Sequence, residues 1–344
     1  MAVLSPSLGR PARIMPAEYT SAAVAAEERA KLFSTVWQLV GFTDEMAEAG
    51  RWVIETIFGT PVIVTNFDGV LRGCRNLCPG CHGRLLVENG RWGCPRCGFI
   101  AFTGDTPFEA AVDCCGRFVF LRLGPGPSLR DFLAPLYDVL AELSETFTDP
   151  GEDSIAMWDC NWKIAVESAI EVYHAKLVHP TTLLPYAPQG TDFRGEVFGE
   201  HSFGCFDVAA ESAEWWNRVA KRLKLTRLKR YPAYDHFHIF PNLLIPISSG
   251  ALMAVQTYEP VGATATRMRY RLRFGTAQGA QNAAIRREIE ASLARFNQAV
   301  IAEDVDITRR VQQGAGDAER PGMLGTNEWR IRNFQAAYRR WMDR

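Results

Sequence analysis

An α+β fold is predicted for this chain: a small antiparallel β domain around a four-cysteine, zinc-ribbon-like metal site, then a larger α+β domain. Three observations predict it. Short β-branched runs separated by turn dipeptides fill residues 52–122, two Cys-x2-Cys pairs fall among them, and the second half mixes strand-like alternation with long amphipathic stretches. The expected division is an N-terminal arm and helix over 1–42, the β domain over 43–127 and the second domain over 128–344.

With 47% hydrophobic and 22% charged residues in 344, the composition is that of an ordinary globular protein with room for a sizeable core. Lys plus Arg number 38 against 39 Asp plus Glu, which leaves no net attraction for nucleic acid or an acidic membrane. Residues 1–21 contain no apolar signal-peptide core, and Pro6, Pro11 and Pro16 suggest an extended arm. The apolar stretch Phe237 to Val255 is interrupted by His238, Pro241, Asn242, Pro246 and Ser248, so no membrane span is expected there. A cytoplasmic protein with neither nucleic-acid nor membrane partners is the expectation. Nine cysteines, five of them within residues 74–97, suit metal ligation in a reducing compartment better than a disulfide framework.

Residues 22–40 are predicted as one helix, with Leu32, Phe33, Val36 and Leu39 near one face. From Trp52 come WVIETIF, PVIVTNF, VLRGC, RLLVE, RWGC and FVFLRL, with Asp68-Gly69 and Asn89-Gly90 as tight hairpin turns. Cys78-x2-Cys81 and Cys94-x2-Cys97 lie twelve residues apart. Two such pairs joined by a hairpin can bring four thiolates to one metal, and the spacing alone indicates structural zinc or a rubredoxin-like iron. Cys74, Cys114, Cys115, Cys160 and Cys205 are read as packing residues.

Pro125-Gly126-Pro127-Ser128 closes the β region. Ser128 with Asp131 resembles a capping box for a helix through Leu129, Phe132, Leu133, Leu136, Leu140 and Leu143, kinked at Pro135. Residues 148–154 (TDPGEDS) are expected to be a loop. Residues 161–180, NWKIAVESAIEVYHAKLVHP, follow. Glu167, Glu171 and His174 are spaced to share a face of a single helical run, and Pro180 should end or bend that helix at His179. Two histidines at such a break can aim at one point, although a pair of histidines on an amphipathic helix is more often a core or hydrogen-bonded pair than a ligand pair. With a distant carboxylate they would form the facial triad of non-haem Fe(II) oxygenases.

A long helix is predicted from Ile285, with Ile289, Leu293, Phe296, Val300, Ile307 and Val311 on its stripe and Gly314 at its end. That stripe places Asp304 on the buried face, a costly position for a carboxylate unless it is paired or bound to metal. Glu303 and Asp306 are expected to be exposed. A final amphipathic helix carries Trp329, Phe334, Tyr338 and Trp341. Between these regions lie FHIFPNLLIPIS, ALMAVQTYEP and TRMRYRLRF. The last alternates Met268, Tyr270, Leu272 and Phe274 with Arg267, Arg269, Arg271 and Arg273, a half-buried strand with a solvated cationic face on which an acidic reductase could dock. His201, His236 and His238 are read as structural or substrate-facing. Trp215, Trp216, Tyr231, Tyr234 and Phe240 are candidates for an aromatic or cation-binding pocket as well as for packing.

The segments GTPVIVTNFDGVLRGCRNLCPGCHGRLL, GRWGCPRCGF and GRFVFLRL, then residues 161–180 and AEDVDITRRVQQG, together resemble the α-subunit of Rieske-type ring-hydroxylating oxygenases. In that family the two loops read C-x-H and C-x2-H and give two Cys and two His to a [2Fe-2S] cluster. This chain departs at both histidines: Cys81 is nearest the first, Cys97 stands at the second, and His82 is a displaced candidate. Four thiolates would suit one ion or a plant-type [2Fe-2S] cluster, would lower the potential, and would remove the imidazole that reaches toward the catalytic domain. The resemblance implies a Rieske-like β domain and a helix-grip (START-like) catalytic domain. It also implies mononuclear Fe(II) on His174, His179 and Asp304, and Glu171 as the carboxylate relay from the cluster of a neighbouring subunit. Glu at that position is familiar in the subgroup acting on quaternary amines; Glu167 would support the helix or the outer shell. The implied activity is O2-dependent mono- or dioxygenation, hydroxylating or oxidatively demethylating a small organic substrate, in a homotrimer with an external ferredoxin or flavin reductase. The alternatives are a mononuclear iron enzyme with a purely structural four-cysteine zinc site, and a non-catalytic helix-grip ligand-binding protein.

Overall fold

The computed structural model describes residues 13–88, 91–98, 100–101, 109–186 and 194–344; the expected Asn89-Gly90 turn lies outside them. Among the described residues the backbone forms three antiparallel three-stranded sheets in the first part of the chain and one of seven strands in the second. The mixed α+β architecture is as expected.

Strands Trp52–Ile57, Thr60–Phe67 and Val70–Arg75 form one small sheet. Asp68 and Gly69, with φ of 51° and 85°, make the left-handed turn between the last two, whose twist suits a two-residue hairpin. Gly73 lets this sheet meet its neighbour: a Cβ there would lie 2.6 Å from Val112 Cγ2 and 2.8 Å from Leu121 Cδ1. A third small sheet, Leu86–Glu88, Arg91–Gly93 and Ile100–Ala101, runs between and beyond the two cysteine loops.

Residues 22–40 are not one helix. Ala22–Glu27 is α-helical, Glu28–Phe33 continues as a π-helical segment, and Gln38–Phe42 is a strand paired with Phe118–Arg122. Leu32, Phe33, Val36 and Leu39 are buried, so their spacing is core spacing; pairing with a strand far along the chain decides the backbone after Phe33. Likewise the helix after Ser128 breaks at Pro135 into Leu129–Leu133 and Tyr137–Thr146 instead of kinking. The expected 148–154 loop opens a strand, Asp149–Trp158, at the edge of the large sheet, with a register shift between Pro150 and Asp153. An edge strand with a bulge is where proline and glycine are tolerated.

The large sheet has the order Asp149–Trp158, Thr266–Phe274, Leu252–Pro260, Leu243–Ser248, Tyr234–Ile239, His201–Phe206 and Arg194–Phe198, all antiparallel. On Thr266–Phe274 the apolar residues point into the core as predicted. The arginine face, however, is not solvated. Arg267 pairs with Glu259 and with Glu55 at 3.0 Å, Arg269 with Asp153 at 2.7 Å and with Glu55, and Arg273 with Asp44 at 2.9 Å, while Arg273 also covers the Phe42 ring at 3.8 Å. The row is an ion-pair clamp against residues 42–55, so it offers no free surface for a reductase. Period-two alternation identifies a strand with two unlike faces but not what covers the polar one.

The long helix runs over Ala283–Asp317, capped by Asn282 Oδ1, which accepts from the Ala284 and Ile285 amides. It passes through Gly314 instead of ending there. A helical glycine costs only about 1 kcal/mol, which the surrounding turns offset. The helix Trp329–Met342 buries Phe334, Tyr338 and Trp341.

Candidate metal centres and cavity

Residues 161–180 fold as a helix, a break and a short second helix. Asn161 Oδ1 accepts from the Lys163 amide and starts Trp162–Ala169; the chain then leaves the helix, and Ala175–Val178 forms a single turn before His179. The single helical run expected for Glu167, Glu171 and His174 is thus corrected. Glu167 points the other way, accepting from Tyr19 Oη at 3.0 Å and from Gln335 Nε2 at 2.8 Å, whereas Glu171 and His174 lie in the break and bond to each other. His179 leaves the helical region at φ −117°, ψ 48°, ahead of Pro180.

The break aims both imidazoles at Asp304, halfway along the long helix. His174 Nε2 lies 3.2 Å from His179 Nε2 and 3.5 Å from Asp304 Oδ1, and His179 Nε2 lies 3.0 Å from the same carboxylate oxygen. Metal–ligand bonds of about 2.1 Å at right angles put neighbouring donor atoms about 3.0 Å apart. The three atoms fit one face of an octahedral ion. Each outer ring nitrogen has a carboxylate: His174 Nδ1 meets Glu171 Oε1, and His179 Nδ1 meets Glu303 Oε2 at 2.7 Å. Those contacts hold both Nε2 atoms available as ligands.

Glu303, expected to be exposed, instead bridges His179 and Thr182 Oγ1, the latter at 2.6 Å. Nothing in local spacing announces a partner 124 residues away. Asp306 is on the outer face, paired with Arg309 and Arg310. Although burial opposes charge on the imidazoles, the hydrogen bonds that the protonated His174 ring donates to Asp304 and Glu171 outweigh it and push His174 up to about 10, and Asp304 and Glu303 raise His179. Three carboxylates around two imidazoles make a site that stabilises a cation. Glu303→Ala is expected to weaken Fe(II) or Co(II) binding at this triad by about 10–100-fold, the usual cost of losing a ligand-orienting partner, read by metal titration.

The triad lines a cavity of about 480 Å³. Aromatic side chains form part of its wall: Phe206 stacks on Tyr234 at 4.8 Å, Tyr186 meets Tyr234 and Phe296 edge-on or tilted, and Trp215 and Trp216 pack at 4.8 Å. Of the aromatic candidates, Trp215, Trp216 and Tyr234 line this cavity, while Tyr231 packs on Phe203 and Phe237, and Phe240 sits among Phe334 and Trp341. His236 also lines it; burial and the adjacent Arg330 hold it well below its ordinary value, so it is neutral. His201 and His238 are buried and bonded to backbone.

Glu167 has a separate consequence. Burial raises its carboxyl to about 7 against the hydrogen bonds from Gln335 and Tyr19. Because the folded state binds this proton more tightly than the unfolded chain, whose carboxyl titrates near 4.5, its contribution to stability is complete at low pH and is lost as pH rises from 4.5 through 7. Glu167→Gln should remove this slope, about 3 kcal/mol, from denaturation curves measured across that range.

In the small domain, Cys78, Cys81, Cys94 and Cys97 form a second group whose sulfurs all lie within 4.8 Å of one another, beneath Ile63, Cys74 and Leu85. Burial opposes the Cys94 thiolate, but contacts from Cys81 and the backbone amides of Cys97 and Arg96 bring it down to about 6. A thiolate at neutral pH is the form a metal binds. Cys74, Cys115 and Cys160 are buried packing residues, and Cys114 and Cys205 are half-buried.

Residues 143–344 match the ring hydroxylating alpha subunit (catalytic domain) family. The chain is 28% identical over 248 residues to the glycine betaine monooxygenase oxygenase subunit of Chromohalobacter salexigens, covering 61% of this chain and 54% of that protein. It is 25% identical over 192 residues to the carnitine monooxygenase oxygenase subunit of Escherichia coli K12, covering 47% and 50%. The chain therefore spans about half the length of the curated relatives it matches. Among solved structures it shares the fold of the quaternary ammonium Rieske monooxygenase CntA with L-carnitine, at TM-score 0.75, 18% identity and coverage of 96% and 95%. It also shares that of naphthalene 1,2-dioxygenase from Rhodococcus sp., at 0.70, 18%, and 96% and 94%. With the matched segment running from Leu143 through the whole triad to the last residue, the chain belongs to the ring-hydroxylating alpha-subunit family of Rieske-type oxygenases.

Proposed function

We propose that this chain is the oxygenase component of a non-haem iron monooxygenase that oxidises a small quaternary ammonium or methylamine substrate. The observation that carries the reading is the convergence of His174, His179 and Asp304 in the wall of a cavity that several aromatic side chains also line. The residues suit Fe(II): two imidazole nitrogens and one carboxylate oxygen on one face leave the opposite positions free. Iron bound there supplies activation of O2 beside the substrate. His174, His179 and Asp304 hold the metal, and Glu171 and Glu303 fix the imidazole orientation through Nδ1. Phe206, Tyr234, Trp215 and Trp216 supply ring faces to which a trimethylammonium head is attracted while water is excluded. Electrons come from an external ferredoxin or flavin reductase, and Glu171, in contact with His174, is the proposed point of entry. The functional unit is a homo-oligomer, a trimer by resemblance, in the cytoplasm.

The balanced reaction consumes O2, two electrons and two protons. One oxygen atom enters a C–H bond of an N-methyl group and the other leaves as water; the N-hydroxymethyl product then releases formaldehyde and the demethylated amine. The test is reductase-coupled turnover of glycine betaine, carnitine and γ-butyrobetaine, with indole as the aromatic comparison. Formaldehyde release coupled to O2 uptake with a betaine supports the reading. Hydroxylation of indole with no betaine turnover would overturn the substrate class, and O2 uptake with none of these would overturn both.

A further inference from the structure

We propose that Cys78, Cys81, Cys94 and Cys97 hold one tetrahedrally coordinated thiophilic ion, iron or zinc, and not a [2Fe-2S] cluster. A sulfide-free single-ion module then stands where the family carries its Rieske centre. The proposal uses the family assignment but not the proposed substrate.

The geometry decides the nuclearity. Cys78 and Cys97 sulfurs lie 3.5 Å apart, Cys81 and Cys94 sulfurs 3.3 Å apart, and every pair is within 4.8 Å. Four ligands at about 2.3 Å from one ion stand about 3.8 Å from each other. A two-iron cluster instead divides its ligands into two pairs on opposite sides of a sulfide-bridged rhomb, and the pairs cannot all be this close. The pairing agrees. In a Rieske centre one iron takes both cysteines and the other both histidines, so the first positions of the two loops would share one iron and the second positions the other. Here the contacts of 3.5 and 3.3 Å each join the first cysteine of one loop to the second of the other, and Cys81 also meets Cys78 and Cys97, so the four sulfurs do not divide into the two pairs a cluster needs.

The two loops also repeat one turn. The His82 amide donates to Cys78 O and the Gly98 amide to Cys94 O, both at 2.9 Å, and both residues are left-handed, with φ of 58° and 71°. Two copies of one Cys-x2-Cys turn facing a common point make an approximately two-fold cage for one ion. His82 occupies in the first turn the place that glycine occupies in the second, on the exposed side, and the atoms that converge are the four sulfurs.

The test is metal and acid-labile sulfide analysis of the full chain purified without oxygen, as wild type and as Asp304→Ala, which empties the triad. One ion per chain and no sulfide is expected in the variant. Iron would show thiolate-to-iron absorption, and zinc would leave the protein colourless; either supports the proposal, and zinc would make the external donor reduce the triad iron without help from this domain. Two irons and two sulfides retained in the variant, or no metal at all, would overturn it. If Asp304→Ala does not fold, the wild type answers the same question: two ions without sulfide, against three irons with two sulfides. A failure of betaine turnover changes none of these ratios, so the two readings fail separately.

Discussion

Asp304→Ala loses the triad metal and all oxygenase turnover, and keeps the metal of the four-cysteine site. Among the described residues, Asp304 Oδ1 is the carboxylate oxygen in reach of both imidazoles, at 3.0 and 3.5 Å. Burial disfavours its charge, but the hydrogen bonds with His174 and His179 hold its carboxyl below the ordinary value. Without it, two imidazoles remain on a site built for three ligands, and the loss of affinity should exceed the about 10–100-fold that follows loss of an outer partner. Metal analysis before and after mild chelation measures it. Unchanged iron at the triad in this variant would refute the ligand assignment.

Lys163→Met unfolds the protein at much lower denaturant than wild type. Lys163 and Glu28 are both fully buried and joined through Nζ and Oε1; Glu28 also accepts from Trp162 Nε1 at 2.9 Å and Tyr338 Oη at 2.8 Å. Methionine fills the space of the lysine but leaves the carboxylate without a counter-charge. Removing one member of such a pair costs about 3–5 kcal/mol. Lys163→Met combined with Glu28→Gln should recover a large part of the loss, because the stranded charge is then gone. A single variant within about 0.5 kcal/mol of wild type in chemical denaturation would show that the pair contributes little. The pair also ties the π-helical turn of residues 28–33 to the start of Trp162–Ala169, the helix that delivers the chain to Glu171 and His174. Triad metal affinity should therefore fall with stability in the single variant.

Much of this site was legible from local pattern because its constraints are local. The cysteine spacing describes two short turns whose geometry follows from the residues within each. His179 ahead of Pro180 is a break whichever sheet lies beneath it, and the apolar stripe of the long helix turns Asp304 inward by periodicity alone. Where expectation and structure part, the deciding contact lies far away in sequence. Residues 38–40 have helical spacing yet pair as a strand because Phe118–Arg122 lies beside them. The Arg267–Arg273 face looks wet until residues 42–55 cover it with carboxylates. Glu303 looks exposed until His179 and Thr182 are folded against it. The helix through Glu167 stops at Ala169, so that Glu167 serves Tyr19 and Gln335 while Glu171 serves His174.

Residue type, spacing and periodicity, read together with the family resemblance, were thus enough to single out the side chains that meet in both groups, because helix and turn geometry are short-range properties. Tertiary packing alone decided how those side chains are held: which carboxylate backs each histidine and which aromatic rings line the cavity. Those outcomes depend on contacts between segments far apart in the chain, and no local pattern carries them.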